Sequence, residues 1–151
     1  MNPGTIKPIL IIEDSTEDYM VILRIFQRLN LPNPVFHFED GDEALNFLFH
    51  PDGGKPYGKP PLPGFILLDL NLPGTDGREV LMRIKTDEQL KTIPVVVLTT
   101  SNDPDDIQYC YAAGANCYMH KPVNLKDFKK ALQALVSFWF ENACLPAPAA
   151  Q

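Results

Sequence analysis

The chain has little of what redox, zinc or disulfide chemistry requires. Its three cysteines, Cys110, Cys117 and Cys144, are odd in number and lack CxxC spacing. They read as reduced thiols in a reducing compartment, with no disulfide frame and no zinc site. His37, His50 and His120 are scattered along the sequence, which argues against a histidine-rich metal centre. Positive charge is also short, with 13 Lys and Arg against 19 Asp and Glu for a formal net charge of −6. No basic stretch stands out, so nucleic acid is not an expected partner. Long apolar runs are missing too. The opening "MNPGTIKPILIIED" is too short in apolar residues for a signal peptide, and nothing approaches a membrane span. The expected location is the cytoplasm.

What is present fits one domain. At 151 residues, 45% hydrophobic and 21% charged, the chain is long enough to bury a real core. The expected unit covers residues 1–145, with its core at about 7–141 and a frayed tail at 146–151. Short segments rich in β-branched or aromatic residues stand at 8–13, 34–39, 65–69, 93–99 and 116–121. Between them apolar residues recur at helical spacing: Tyr19, Ile22, Leu23, Phe26 and Leu29; Ala44, Leu45 and Leu48; Val80, Leu81 and Ile84; Ile107, Cys110 and Tyr111; Leu125, Phe128, Leu132, Leu135 and Val136. Ser15 or Thr16, Asp40 and Asn124 are placed as N-caps. Five strands alternating with five helices imply an α/β fold whose parallel sheet is covered on both faces. The proline- and glycine-rich stretch 50–64 reads as a surface loop. Within it "GGKPYGK" (53–59) mimics a P-loop, but Pro60-Pro61 follows where a hydroxyl and a helix start are needed.

Ligands of open parallel sheets bind beyond the carboxyl ends of the strands, so those ends carry the functional information. The first strand segment ends in Glu13-Asp14, the third in Asp69, the fourth in Thr99-Thr100-Ser101 and the fifth in Lys121-Pro122. Neighbouring strand residues alternate faces, so Glu13 and Asp14 both reach one site only if the strand unravels there. Clustered carboxylates repel one another, and without a partner at least one would protonate. A hard divalent cation resolves that conflict, and the all-oxygen set suits Mg²⁺ or Mn²⁺.

These motifs, in order and in register, resemble the receiver domain of two-component response regulators. They are Glu13-Asp14, Asp69 followed by "LNLPGTDG", Thr99 with Gly114 downstream, and Lys121-Pro122. The likeness covers roughly residues 7 to 140. The stretches "LLDLNLPGTDGREVLMRIKTDEQLKTIPVVVLTTS" and "GANCYMHKPVNL" resemble the stand-alone regulators of bacterial phytochrome-type histidine kinases. The resemblance implies a (βα)5 flavodoxin-like fold with strand order 2-1-3-4-5. It implies that Asp69 accepts a phosphoryl group from a sensor kinase phosphohistidine. Glu13, Asp14, Asp69 and the backbone carbonyl of Asn71 would hold Mg²⁺, and Thr99 and Lys121 would bind the phosphoryl oxygens. Thr99 and Tyr118 would form the switch, and the Lys121–Pro122 bond would be cis. Glu13 stands where the family more often has Asp. The chain would be a signalling switch that assists its own phosphotransfer and slow dephosphorylation, not an enzyme acting on a separate substrate. It would relay the signal through protein contacts with a downstream protein or by passing the phosphoryl group on.

Other readings stand beside these. An aspartate-nucleophile phosphatase wants a second Asp where Asn71 stands and Thr where Pro73 stands. A flavin protein wants a phosphate loop of small hydroxyl residues after the first strand, where this chain has acids. An interaction module that is never phosphorylated has no sequence feature against it. Asn71 also reads as a turn residue, Tyr118 as a core residue, Asp76 as a turn acid before Gly77, and His120 as structural. The last helix carries more large apolar surface than one core contact absorbs. Phe138, Trp139 and Phe140 are therefore expected at a homodimer interface, the alternative being that Phe138 and Phe140 fold over the domain's own end.

Overall fold

The computed structural model describes residues 6–49 and 62–146. Its strands are β1 (Ile9–Ile12), β2 (Val35–Phe38), β3 (Phe65–Leu68), β4 (Val95–Thr99) and β5 (Cys117–His120). Its helices are α1 (Thr16–Arg28), α2 (Gly41–Phe49), α3 (Gly77–Thr86), α4 (Pro104–Ala113) and α5 (Leu125–Val136), followed by a π-helical turn at Ser137–Asn142. All strand pairs are parallel, and the order is β2-β1-β3-β4-β5. This is the expected flavodoxin-like α/β sheet. The P-loop-like stretch at 53–59, most of the loop around it and the tail from 147 lie outside the described residues.

Period-two alternation builds two cores, one on each face of the sheet. Leu10, Ile12, Ile66, Leu68, Val95 and Val97 pack on one side against α2, α3 and α4 through Ala44, Leu45, Leu48, Val80, Leu81, Ile84 and Cys110. Ile9, Ile11, Phe65, Leu67, Val96 and Leu98 pack on the other against α1 and α5 through Ile22, Ile25, Phe26, Phe128, Leu132, Leu135 and Val136. The central strands are thus wholly buried, while β2 and β5 are half-buried edges. Truncating a fully buried residue such as Leu81 to Ala would cost about 2–5 kcal/mol. Of the apolar helix positions expected in the core, Leu29, Tyr111 and Leu125 stay exposed.

Each helix starts at the carboxyl edge of the sheet and carries a side-chain cap there. Ser15 accepts from the Asp18 amide, Asp40 from Asp42, Asp76 from Arg78, Asp103 from Asp105, and Asn124 from Lys126 and Asp127. Asp76 is therefore a helix cap, as the turn-acid reading expects. Gly77 makes possible the close approach of α3 to the end of β3. A Cβ at this position would lie 2.2 Å from the Asp69 carbonyl oxygen. All described peptide bonds are trans, Lys121–Pro122 included. That corrects the cis bond the resemblance implies; trans is the commoner form by about 0.5–1 kcal/mol.

The end of the chain departs from a plain helix. After Val136 the backbone widens, and the Ala143 amide bonds to the Phe138 carbonyl five residues back. The wider turn swings both Trp139 and Phe140 onto Phe65, with ring centroids 5.6 and 5.1 Å away. Phe140 also meets the edge of Phe26. A regular 3.6-residue repeat would have put Phe140 on a different side from Trp139. Phe138 remains 57% exposed.

Candidate functional site

The acids meet where three strands end. β1 stops at Ile12, and Glu13 makes the last backbone bond to β2, its amide donating to the Phe38 carbonyl. The chain then turns into the Ser15 cap, with the Ser15 amide donating to Glu13 Oε2 at 3.1 Å. This is the unravelling that the pair Glu13-Asp14 requires. Glu13 is buried at 2% exposure, whereas Asp14 is exposed on the rim. Asp69, directly after β3, is buried at 6%. Its Oδ1 accepts from the amides of Leu70 (2.7 Å) and, at longer range, Asn71 (3.4 Å). Oxygens of Glu13, Asp14 and Asp69 all lie within 4.8 Å of one another.

Lys121 answers this negative charge. It is itself buried, and its Nζ lies 2.6 Å from Glu13 Oε1, 2.9 Å from Asp69 Oδ2 and 2.9 Å from Asp18 Oδ2. The ammonium donates hydrogen bonds to Asp69 and Asp18 and forms a close ion pair with Glu13. Sequence reasoning missed Asp18 as the third partner. The signal was available: Ser15 caps α1, which puts Asp18 in the helix's first turn, facing the strand ends.

One lysine does not balance three acids. Burial, then the charge of Asp69, push the Glu13 carboxyl up to about 8 despite the Lys121 contact. Asp69 moves the other way. Burial works against its charged form, but the charge and hydrogen bond of Lys121, with help from Glu13 and Thr99, outweigh it and hold Asp69 below the usual carboxylate range. For Lys121 burial is likewise outweighed, by the bonds to Glu13 and Asp18 and the charges of Glu13 and Asp69, so the ammonium is held above its usual range. Of the two buried carboxyls, Glu13 is thus the one pushed toward its protonated form and Asp69 the one held toward its ionised form. The donor set is hard oxygen only, with an excess of negative charge that a dication would relieve, so the residues fit Mg²⁺ or Mn²⁺.

The remaining expected residues surround this centre. Thr99, the last residue of β4, is fully buried, and its Oγ1 accepts a long bond from the Ser101 amide (3.4 Å). Tyr118 on β5 is half-buried, and its hydroxyl donates to the Ser101 carbonyl at 2.8 Å. Both residues are thereby tied to Ser101. Asn71 is exposed in the loop that follows Asp69. His120 is exposed at the end of β5, and its Nε2 bonds the Thr100 carbonyl at 3.0 Å. Arg78 was not singled out in the sequence, yet it forks onto Asp106 of α4 through Nε and Nη2 at 2.7 Å each. Asp106 also accepts from the Ser101 hydroxyl at 2.6 Å.

Comparison with known proteins agrees with this geometry. The family model of the response regulator receiver domain matches residues 9–133. The chain is similar to Response regulator Rcp1 of Synechocystis, with 45% identity over 141 residues, 93% of this chain and 94% of that protein. It is also similar to a probable methanogenesis regulatory protein, FilR2, of Methanothrix harundinacea, with 40% identity over 93% of this chain and 88% of that protein. Among solved structures, the Mn²⁺-bound form of Rcp1 superposes with a TM-score of 0.87 at 44% identity, covering 93% of this chain and 99% of that one. A phosphorylated cyanobacterial phytochrome response regulator, RcpA, gives 0.84 at 40% identity, with the same coverage. With the site motifs in register and these matches running along nearly its whole length, the chain belongs to the response regulator receiver domain family.

Proposed function

We propose that the chain is a phosphoacceptor switch in which Asp69 takes a phosphoryl group from a sensor kinase phosphohistidine in a Mg²⁺-dependent reaction. The supporting observation is the pairing of an ionised, buried Asp69 with the Lys121 ammonium inside a cluster of carboxylates. An Asp69 oxygen attacks phosphorus and forms the acyl phosphate. The P–N bond breaks, and its electron pair leaves on the histidine nitrogen. Glu13, Asp14, Asp69 and the Asn71 backbone carbonyl would hold Mg²⁺, with Mn²⁺ as an alternative; the Mn²⁺-bound form of the similar Rcp1 supports this reading. Bound there, the dication supplies neutralisation of the phosphoryl charge. Lys121 turns the donor released by Asp69 toward a phosphoryl oxygen, and Thr99 offers its hydroxyl to another.

The readout follows from Ser101. If Thr99 moves toward the phosphoryl group, it draws on the Ser101 backbone, whose carbonyl holds the Tyr118 hydroxyl. Releasing that bond frees Tyr118 to turn inward and alters the face of α4, β5 and α5. The partners we assign are a phytochrome-type histidine kinase, by likeness to Rcp1 and RcpA, and a downstream protein that reads the altered face. The cytoplasm is the compartment such a kinase requires, and no described helix is long and apolar enough to cross a membrane. Exposed Phe138 supports a homodimer built on the C-terminal helix. Trp139 and Phe140 would shape that interface from beneath, since they rest on the domain's own core. Sedimentation of the wild type against Phe138→Glu tests the dimer, and a monomeric mass for both overturns it.

Intact mass after incubation with acetyl phosphate and Mg²⁺ tests the central reading. One added phosphoryl group on the wild type and none on Asp69→Asn is expected. An unmodified wild type, or steady turnover of a phosphate ester, contradicts it.

A further inference from the structure

The place where β1 leaves the sheet is held by a side chain from the neighbouring strand. β1 and β2 pair with Ile11 opposite His37 and Ile12 opposite Phe38. The last rung is the Glu13 amide on the Phe38 carbonyl. One step further along a parallel ladder, the Glu13 carbonyl would accept from the backbone amide of Asp40. By then β2 has ended and Asp40 is capping α2. In its place the His37 Nε2 lies 2.8 Å from the Glu13 carbonyl. A carbonyl oxygen only accepts, so Nε2 carries the proton.

The ring is itself fixed. Strand alternation sends His37 to the α1 side of the sheet, where it stacks on Tyr19 with centroids 3.6 Å apart and planes 7° from parallel. Tyr19 follows Asp18, which bonds Lys121. One imidazole therefore joins the edge strand, the end of β1 and the first turn of α1. Without it, the Glu13–Asp14 peptide would lose its last lateral bond at the point where two acids must share one face.

We infer that His37 is a positioning residue for the Glu13–Asp14 pair, its imidazole N–H replacing the missing sheet bond and so fixing the backbone that presents both carboxylates to a divalent cation. The inference rests on the metal reading above. His37→Leu removes the bond and keeps an apolar body against Tyr19, whereas His37→Gln keeps an N–H near the Nε2 position.

Mn²⁺ titration followed by water-proton relaxation tests it on the full chain. His37→Leu should bind Mn²⁺ about 10-fold or more weakly, and His37→Gln should recover most of that loss, as outer partners of metal ligands do. Equal affinity for the wild type and His37→Leu overturns the inference, as does a His37→Gln variant no better than His37→Leu. Amide exchange at Asp14 and Ser15 in the metal-free protein keeps the two readings separable. A wild type that binds no Mn²⁺ sinks the metal reading. Exchange that is faster in His37→Leu and restored in His37→Gln supports the positioning role, and equal rates in all three proteins overturn it.

Discussion

Lys121 reaches Asp69 across an intervening strand. It follows β5, Asp69 follows β3, and β4 lies between them, yet Nζ stands 2.9 Å from Asp69 Oδ2 with both side chains buried. The long lysine side chain spans that gap. The contact makes the two strand ends one electrostatic unit, with Glu13 and Asp18 as its other members.

Removing the cation should therefore be costly. Lys121→Ala would strand buried carboxylates, and breaking such a unit costs about 3–5 kcal/mol. Urea unfolding at pH 8 with a chelator should show that loss. The loss should shrink at pH 5, where more of the carboxyls carry protons, and also when Mg²⁺ is added.

Stability without metal should fall as pH rises. The folded Glu13 value of about 8 lies above its ordinary 4.5, so between these values the folded protein holds a proton that the unfolded chain has lost. The stabilisation is fully present below about 4.5 and is lost as pH rises through about 8. Asp69 shifts downward from 3.8, so its contribution is already complete across this window, and that of Lys121, raised from 10.5, persists throughout. Thermal melts in chelator should show the decline in the wild type and lose it in Glu13→Gln. Added Mg²⁺ should raise the melting point more at pH 8 than at pH 5.

Arg78 and Asp106 tie α3 to α4. Side-chain exposures of 30% and 16% limit what the fork contributes, and about 1 kcal/mol of coupling is expected at neutral pH. The bond from Arg78, with that from Ser101, depresses the Asp106 carboxyl to about 2. Its stabilisation is present above the ordinary 3.8 and is lost as pH falls through about 2. A double-mutant cycle with Arg78→Ala and Asp106→Ala at pH 7 measures it; zero coupling would mean the fork only decorates the surface.

Gly77 should tolerate no side chain. The Cβ of Gly77→Ala would meet the Asp69 carbonyl and the Leu70 backbone, which cannot swing aside as a side-chain tip could. A loss of about 1–3 kcal/mol is expected from such overpacking, together with slower phosphoryl acceptance because Asp69 moves with its backbone. Unchanged melting and unchanged phosphorylation kinetics would contradict this.

The strands and most of the site were legible because their signals are local. β1, β3 and β4 are unbroken apolar runs that stop at Glu13, Asp69 and Thr99, and a parallel sheet puts all those ends on one edge. The third partner of Lys121 was hidden because Asp18 acts through helix geometry, not through any strand-end pattern. His37 was hidden for another reason: a lone histidine in an edge strand carries no mark of the carbonyl it serves. Phe140 misled because one π turn re-aims every side chain after it, and nothing in "SFWFEN" announces the wider step. The Arg78–Asp106 fork spans 28 residues of sequence and belongs to tertiary packing alone.

The most direct test is chemical identification of the acceptor. The full chain, treated with a phosphoryl donor and Mg²⁺, is reduced with borohydride, which converts an aspartyl phosphate to homoserine, and its peptides are sequenced by mass spectrometry. Homoserine at position 69 alone, and only when the cation is supplied, is the predicted result. A modified residue elsewhere, or equal labelling of Asp69 in chelator, would contradict the account.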